Sequence, residues 1–458
     1  MLLLTDGRLM CQDADAVDWW ALTPDSQGSY INGTWHQLAS MQTPRLYYAS
    51  TVMKDGRVTV WGGEYTGDTS NKTDSNSGEI YDPVTDSWSL LPTPAGWWAI
   101  GDAPAALLPD GRELLGSIKD SASAVWDPVA NSWANAGSLL AGSEEASWVL
   151  LPTGDVITVD CTRSQESELW SNGVGWVEAG ALPVDVVESS SKEIGPALLL
   201  PDGRAMFFGA TGATLLYAPA AIAGQSGSWT AGPTLPLDAT GAQVVAKDAP
   251  ALLLPNGHVL LIAAAEGASG WGVSSNFYDV DPTVSPIAIT LVAAPSNAWQ
   301  PPYAGRLLLL PTGEAAFSET GFSISILAAP TVVAVPAPAI TVAPGQADAG
   351  DTFQLTGTGF NGVSQSVAYG DDACMATNYP LVRLVNASTG SVTYARTHDH
   401  STMGVATGST LVTTQVTLPA SLAGGTYQLV VVANGVPSLA VAISIQGGQR
   451  PARVVLPA

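Results

Sequence analysis

The sequence predicts an all-β chain, a seven-bladed β-propeller followed by an immunoglobulin-like sandwich, and three observations carry that prediction. Seven short turns ending in glycine, at Gly7, Gly56, Gly111, Gly154, Gly203, Gly257 and Gly313, each separate two apolar runs. The steps between these glycines are 49, 55, 43, 49, 54 and 56 residues, which is the period of a propeller blade with loops of varying length. From Ala339 onward the glycine-ended turn stops recurring, and short alternating strands follow at the spacing of a sandwich of about 110 residues.

Within a blade the elements follow in a fixed order. The first hairpin forms at Leu-Thr-Asp-Gly7, Met-Lys-Asp-Gly56, Leu-Pro-Asp-Gly111 and their later copies, because Asp-Gly and Asn-Gly tolerate the positive φ angles of a tight turn. An aromatic then closes the third strand, an Asp-Pro turn reverses the chain, and a tryptophan enters the fourth strand. Tyr81-Asp-Pro-Val-Thr-Asp-Ser-Trp88 and Trp126-Asp-Pro-Val-Ala-Asn-Ser-Trp133 are the clearest copies. The blades fall near 1–41, 47–94, 101–140, 144–183, 193–236, 247–295 and 302–330, the seventh without a clear fourth strand. Residues 331–338 form a proline-rich linker, 339–447 the sandwich and 448–458 a tail. The predicted sandwich strands are Ile340–Val342, Thr352–Thr358, Ser366–Tyr369, Leu381–Val385, Val392–Arg396, Leu411–Leu418, Thr426–Ala433 and Leu439–Ile445.

Composition narrows the function. With 16 basic against 40 acidic residues the net charge is −24, so a phosphate backbone is repelled and nucleic acid is not an expected partner. Mean hydropathy is +0.20, yet no apolar run approaches the roughly 20 residues of a membrane-spanning helix. Cys11, Cys161 and Cys374 are odd in number and far apart, which gives neither a disulfide framework nor a zinc pattern. The first residues enter a hairpin directly without the features of a signal peptide. The expected location is extracellular or at the cell surface, by prior processing or another export route.

The blade period, the Tyr-Asp-Pro…Trp signature and Trp61-Gly-Gly63 resemble the kelch repeat. Tyr369-Gly-Asp-Asp-Ala-Cys374, Ala395-Arg-Thr-His-Asp-His400 and Val430-Val-Val-Ala-Asn-Gly-Val-Pro-Ser438 resemble the closing domain, of the Ig-like E-set type, of the galactose oxidase and glyoxal oxidase group. That resemblance implies a copper held by two imidazoles and two tyrosines, one tyrosine crosslinked to a cysteine. Carried over by position, the axial tyrosine falls on Tyr303 and its neighbouring histidine on Ala304. The second histidine falls on Cys374, and the crosslinked tyrosine on Tyr81, with no cysteine near Tyr47 or Tyr48. An alanine binds no metal, and without two nitrogen ligands such a Cu(II) site has no equatorial plane.

Other chemistry is sparse. His398 and His400, at i and i+2, would project from one face if the strand continues, and could chelate a metal with Asp371 or Asp372. A hydrogen-bonded loop bracing the domain interface accounts for the same residues. No Gly-x-Ser-x-Gly elbow supports a Ser-His-Asp site. Trp97, Trp98, Trp271 and Trp299 fall partly in loops, where an indole beside polar groups is a platform for a sugar ring. Tyr303 and Tyr81 join them if the family geometry holds. The expectation is a non-catalytic extracellular or surface scaffold without a cofactor, binding glycan or a surface protein through propeller loops, alone or in a homo-oligomer or larger assembly. The alternative is a copper-radical oxidase with an altered metal site.

Overall fold

Each glycine-ended turn becomes a hairpin, and the seven glycines adopt φ between 80° and 91°, a region closed to most side chains. Four of these turns read Asp-Gly-Arg and close in the same way. The aspartate accepts the arginine backbone N–H, and its other oxygen takes the guanidinium at 2.6–2.7 Å, in Asp6–Arg8, Asp55–Arg57, Asp110–Arg112 and Asp202–Arg204. These pairs are half-exposed, so they fix the turn's shape more than they stabilise the fold.

In a computed structural model, the described residues are 1–447 apart from 67–72, 119, 164, 268–270, 273, 320, 322, 366, 370–371 and 375–377, and side chains at 367–369 and 372–374 are also outside the description. The predicted tail at 448–458 lies outside the described residues. The chain builds seven propeller sheets in sequence order, from Leu2–Leu3 in the first to Ile324–Leu327 in the last. The first strands of neighbouring blades touch one another and so surround the axis. The seventh blade has three strands, Arg306–Leu309, Ala315–Ser318 and Ile324–Leu327. The ring closes by packing: Leu308, Leu310 and Ala316 share one core with Leu2, Leu3 and Leu4 of the first blade. No helix among the described residues is long and apolar enough to cross a membrane.

The aromatic signature is a staple between blades. Across the third and fourth strands Tyr81 faces Trp88, Trp126 faces Trp133, Trp170 faces Trp176 and Tyr217 faces Trp229. Each fourth-strand indole then donates its N–H to the preceding blade: Trp88 to Ala39 O, Trp133 to Pro92 O, Trp176 to Ser123 Oγ and Trp229 to Ser167 Oγ. Large apolar area is buried while the polar edge stays paired. Glutamates add a second clasp. Glu79 accepts the backbone N–H of Gln42 and Thr43 and pairs with Arg45 at 3.2 Å, both side chains fully buried.

Beyond the linker the chain forms a sheet curled on itself around Leu355, Phe360, Val382, Leu384, Val416, Leu429 and Ile443. This domain sits on the propeller face that carries the glycine turns. A Cβ on Gly7 would stand 2.5 Å from Tyr394 Cγ, so glycine is required there by contact as well as by φ. Met403 N–H donates to Pro109 O at 2.8 Å, and His400 N–H to Lys54 O at 3.2 Å. The strand Val392–His398 and the loop after it thus run beneath blades 1, 2 and 3.

One predicted strand goes elsewhere. Ser366–Tyr369, assigned to the sandwich by its alternation, instead supplies Val367–Tyr369 to a hairpin with Asp372–Cys374 that leaves the second domain and enters the propeller axis. There Ala368 pairs with Trp148, and the hairpin lies against the first strands of blades 2, 3, 4, 5 and 7. A short alternating run reads the same in either setting, because period 2 reports a strand and not its partner.

Candidate functional site

Strand direction places the candidate site. Each first strand runs toward its glycine turn and the second domain, so the loops that precede first strands, and those joining second to third strands, gather at the opposite mouth.

Blade 7 contributes the loop ahead of Arg306–Leu309. Glu319 accepts the N–H groups of Trp299 and Gln300, each at 3.0 Å. Ser275 Oγ donates to Gln300 O at 2.9 Å, and a 3-10 turn at Pro302–Ala304 presents Tyr303. Tyr303 meets Trp271 of blade 6 edge to face, with ring centres 5.4 Å apart. Lys247 lies 4.2 Å above the Trp271 ring and 3.6 Å from Glu188. On the other side Arg306 donates to Tyr303 O at 2.7 Å and lies 5.7 Å from the Tyr47 ring, which meets Tyr65 at 5.9 Å. The result is an arc of four aromatic rings and two cations across blades 2, 7 and 6.

Beyond Lys247 the mouth continues into an acidic wall. Glu145, Glu193 and Asp248, just ahead of the first strands of blades 4, 5 and 6 or in the loop leading to them, bring one carboxylate oxygen each within 4.8 Å of the others. Glu193 is set by the tight loop 188–193, where Glu188 N–H donates to Glu193 O and Lys192 N–H to Glu188 O. N–H and hydroxyl donors from Ser190 and Ser191 hold the Glu188 carboxyl down at about 2, so it stays ionised beside Lys247. Among the described residues these three carboxylates are the group able to hold a metal ion, and an all-oxygen set suits a hard cation.

Copper of the oxidase type does not fit. All four imidazoles lie elsewhere: His36 beside Arg8 at 3.3 Å, His258 beside Asp279 at 2.9 Å behind the Gly257 turn, and His398 and His400 in the second domain. The Cys161 thiol is buried, and that burial, with the nearby Asp160, Glu193 and Glu144 charges, pushes its pKa well up, so it is a poor ligand or crosslinking partner. Cys374 lies in the axial hairpin, its side chain outside the described residues.

The structure sorts the other sequence candidates. Tyr303 and Trp271 come together at the mouth. Trp98 and Trp299 are exposed at 58% and 61% on the same face, whereas Trp97 packs toward Trp133 with ring centres 6.4 Å apart. Tyr81 is fully buried at the far end of its blade and donates to Asp86 at 2.8 Å, so a ligand does not reach it. His398 and His400 do not share a face: His400 is buried against Thr414 and Tyr379, while His398 bonds Asp399 and Thr417. The strand ends at His398 and Asp399 takes φ 50°, which breaks the i, i+2 alternation. Asp371 lies outside the described residues, as does the Asp372 side chain. Sequence reasoning missed Tyr47, Tyr65, Lys247, Arg306 and the three carboxylates of the wall. Their shared signal was position, in the loops ahead of first strands or between second and third strands.

Comparison with known proteins agrees with this architecture. The Kelch motif model matches residues 45–95. The Kelch-like protein terF of Aspergillus terreus is 31% identical over 88 residues, a match spanning 19% of this chain and 19% of that protein. A solved fungal alcohol oxidase, described as having catalytic diversity among the AA5 family and in complex with copper, superposes with a TM-score of 0.51 at 12% identity, over 97% of this chain and 98% of the other. A structure of YjhT is 14% identical, covering 63% of this chain and 98% of its own, at a TM-score of 0.41, too low to argue from. Seven blades, a kelch motif in the second of them and a superposition over nearly the whole of both chains give this chain a kelch-type propeller with the fold of that alcohol oxidase.

Proposed function

We propose that the chain is a scaffold, acting outside the cell or at its surface, that binds a glycan at the propeller mouth without catalysis at that mouth. The observation that carries this is the run Tyr65, Tyr47, Arg306, Tyr303, Trp271, Lys247 together with three clustered carboxylates in the loops of the same mouth. A pyranose ring stacks its C–H face on an aromatic side chain and donates its hydroxyls to carboxylates, so rings and acids gathered at one mouth support a sugar. The exposed Trp98 and Trp299 extend the same face for a longer oligosaccharide.

The fold shared with a copper oxidase favours the second reading, a radical oxidase with an altered site, but the imidazoles that chemistry needs are elsewhere in this chain. Glycan-array screening followed by calorimetry on Trp271→Ala and Tyr303→Ala tests the proposal. At least a tenfold loss of affinity is expected for each variant. Unchanged binding by both moves the ligand away from the mouth, and stoichiometric copper with peroxide release on an alcohol substrate replaces the proposal with the oxidase.

A further inference from the structure

Away from the mouth, at the seam between the second domain and blade 2, four side chains form a hydrogen-bonded row with a single direction. The turn after the strand Val392–His398 puts Asp399 at φ 50°, a left-handed conformation that costs a non-glycine residue energy. Its effect is to fold the Asp399 carboxylate back onto the neighbouring imidazole, with Oδ2 2.7 Å from His398 Nδ1. A carboxylate only accepts, so Nδ1 carries the hydrogen, and in the neutral ring Nε2 is left as an acceptor. Nε2 lies 2.9 Å from Thr417 Oγ1, and that hydroxyl donates to it. Thr352 Oγ1 stands 2.8 Å from Thr417 Oγ1, and with the Thr417 proton engaged by the ring, Thr352 is the donor of that pair.

Hydroxyl, imidazole and carboxylate in this order are the nucleophile, base and orienting group of acyl transfer, recognised by geometry and not by position in the chain. The setting suits the roles. The His398 side chain is 12% exposed and that of Asp399 62%, so the imidazole is shielded while the carboxylate meets solvent. Arg396 lies directly across the strands from Thr417, and its guanidinium reaches Asp55 O in the blade 2 turn at 3.4 Å.

We propose that Thr417 is an activated nucleophile toward short-chain carboxylic esters, with His398 as its base and Asp399 as the positioning residue. Thr417 Oγ forms the bond to the ester carbonyl carbon as its proton passes to His398 Nε2. The tetrahedral adduct then breaks its bond to the alcohol, which leaves with that proton. A water molecule, deprotonated by His398, next attacks the acyl-threonine, releasing the carboxylic acid and restoring the hydroxyl, so the net change is ester plus water to acid plus alcohol.

The test uses the full chain with 4-nitrophenyl acetate and, separately, a fluorophosphonate probe with peptide mapping. A nitrophenolate burst and a label on Thr417 are expected, with at least a tenfold rate loss in Thr417→Val and His398→Gln and activity retained in Thr417→Ser. Asp399→Asn, at an exposed position that folding tolerates, should lower kcat with KM little changed, and Asp399→Glu should restore part of the rate; a structural role would give neither. A hydrolysis rate unchanged in Thr417→Val, or a probe that leaves Thr417 unlabelled in the folded protein, overturns the proposal. The mouth's glycan binding is indifferent to either result.

Discussion

Acidification should loosen the seam between the two domains through one histidine. His400 is 1% exposed, with Nδ1 2.9 Å from Thr414 Oγ1 and its ring stacked on Tyr379 at 6.2 Å. Burial first, then the charges of His398, Lys54 and Arg396, pull its pKa from 6.5 down to about 3, against a smaller opposing effect of Asp399. Between those two values the unfolded chain binds a proton that the folded chain refuses, so stability falls as pH drops through 6.5 toward 3. At pH 4.5 the unfolded imidazole is two units below its midpoint, and at about 1.36 kcal/mol per unit the loss attributable to His400 is about 2.7 kcal/mol. Urea melts of the native chain and of His400→Gln, which keeps a group able to bond Thr414 but does not titrate, isolate it: the fall in stability from pH 7 to 4.5 should be smaller in the variant by about that amount. Equal falls in both proteins, or an NMR titration of the His400 ring centred near 6.5 in the folded state, would refute the reasoning.

Two further outcomes follow from the propeller. Arg45 and Glu79 are both wholly buried, and Arg45 also donates to Gly62 O and Ser77 O; Arg45→Ala strands the carboxylate and should cost about 3–5 kcal/mol, part of which Glu79→Gln in the same chain restores, as denaturant midpoints of the double-mutant cycle will show. Trp133→Ala removes a half-buried ring lying 4.9 Å from Trp61 and should cost about 3 kcal/mol. Trp133→Phe loses chiefly the N–H bond to Pro92 O and should cost about 1 kcal/mol; thermal melts that fail to separate the two variants would mean the indole does not staple the blades.

The blades were legible because their signals are local. A turn that needs positive φ reads as Asp-Gly wherever it sits, and Tyr81 and Trp88 become cross-strand partners because the turn between them has fixed length. That the seventh blade has three strands among the described residues was likewise visible in the chain itself. What sequence could not supply was partnership at long range. Val367–Tyr369 reads as a sandwich strand and is axial because Ala368 finds Trp148, more than 200 residues earlier. Tyr81 read as a site residue by carry-over from the family, but its hydroxyl is committed to Asp86, within its own turn. The mouth residues come from separate blades and share no motif, so only the ring brings Tyr47 beside Arg306. His398 and Asp399 are adjacent in sequence, yet Thr417 and Thr352 complete their row from other strands.

The loops explain how such a fold can change its chemistry without changing its shape. Two of the indole staples, Trp88 to Ala39 O and Trp133 to Pro92 O, and the Glu79 clasp on the Gln42 N–H use backbone groups as partners, and backbone is present whatever side chains the mouth carries. Substitution at Ala304 or around Tyr47 therefore leaves these blade contacts intact. The glycine face is constrained differently. Tyr394 requires glycine at position 7, and Gly435 packs on Gly313, so the face that meets the second domain tolerates little. Variation is cheap at one end of the axis and costly at the other, which is why the mouth, and not the glycine turns, is where a ligand's chemistry should be sought first.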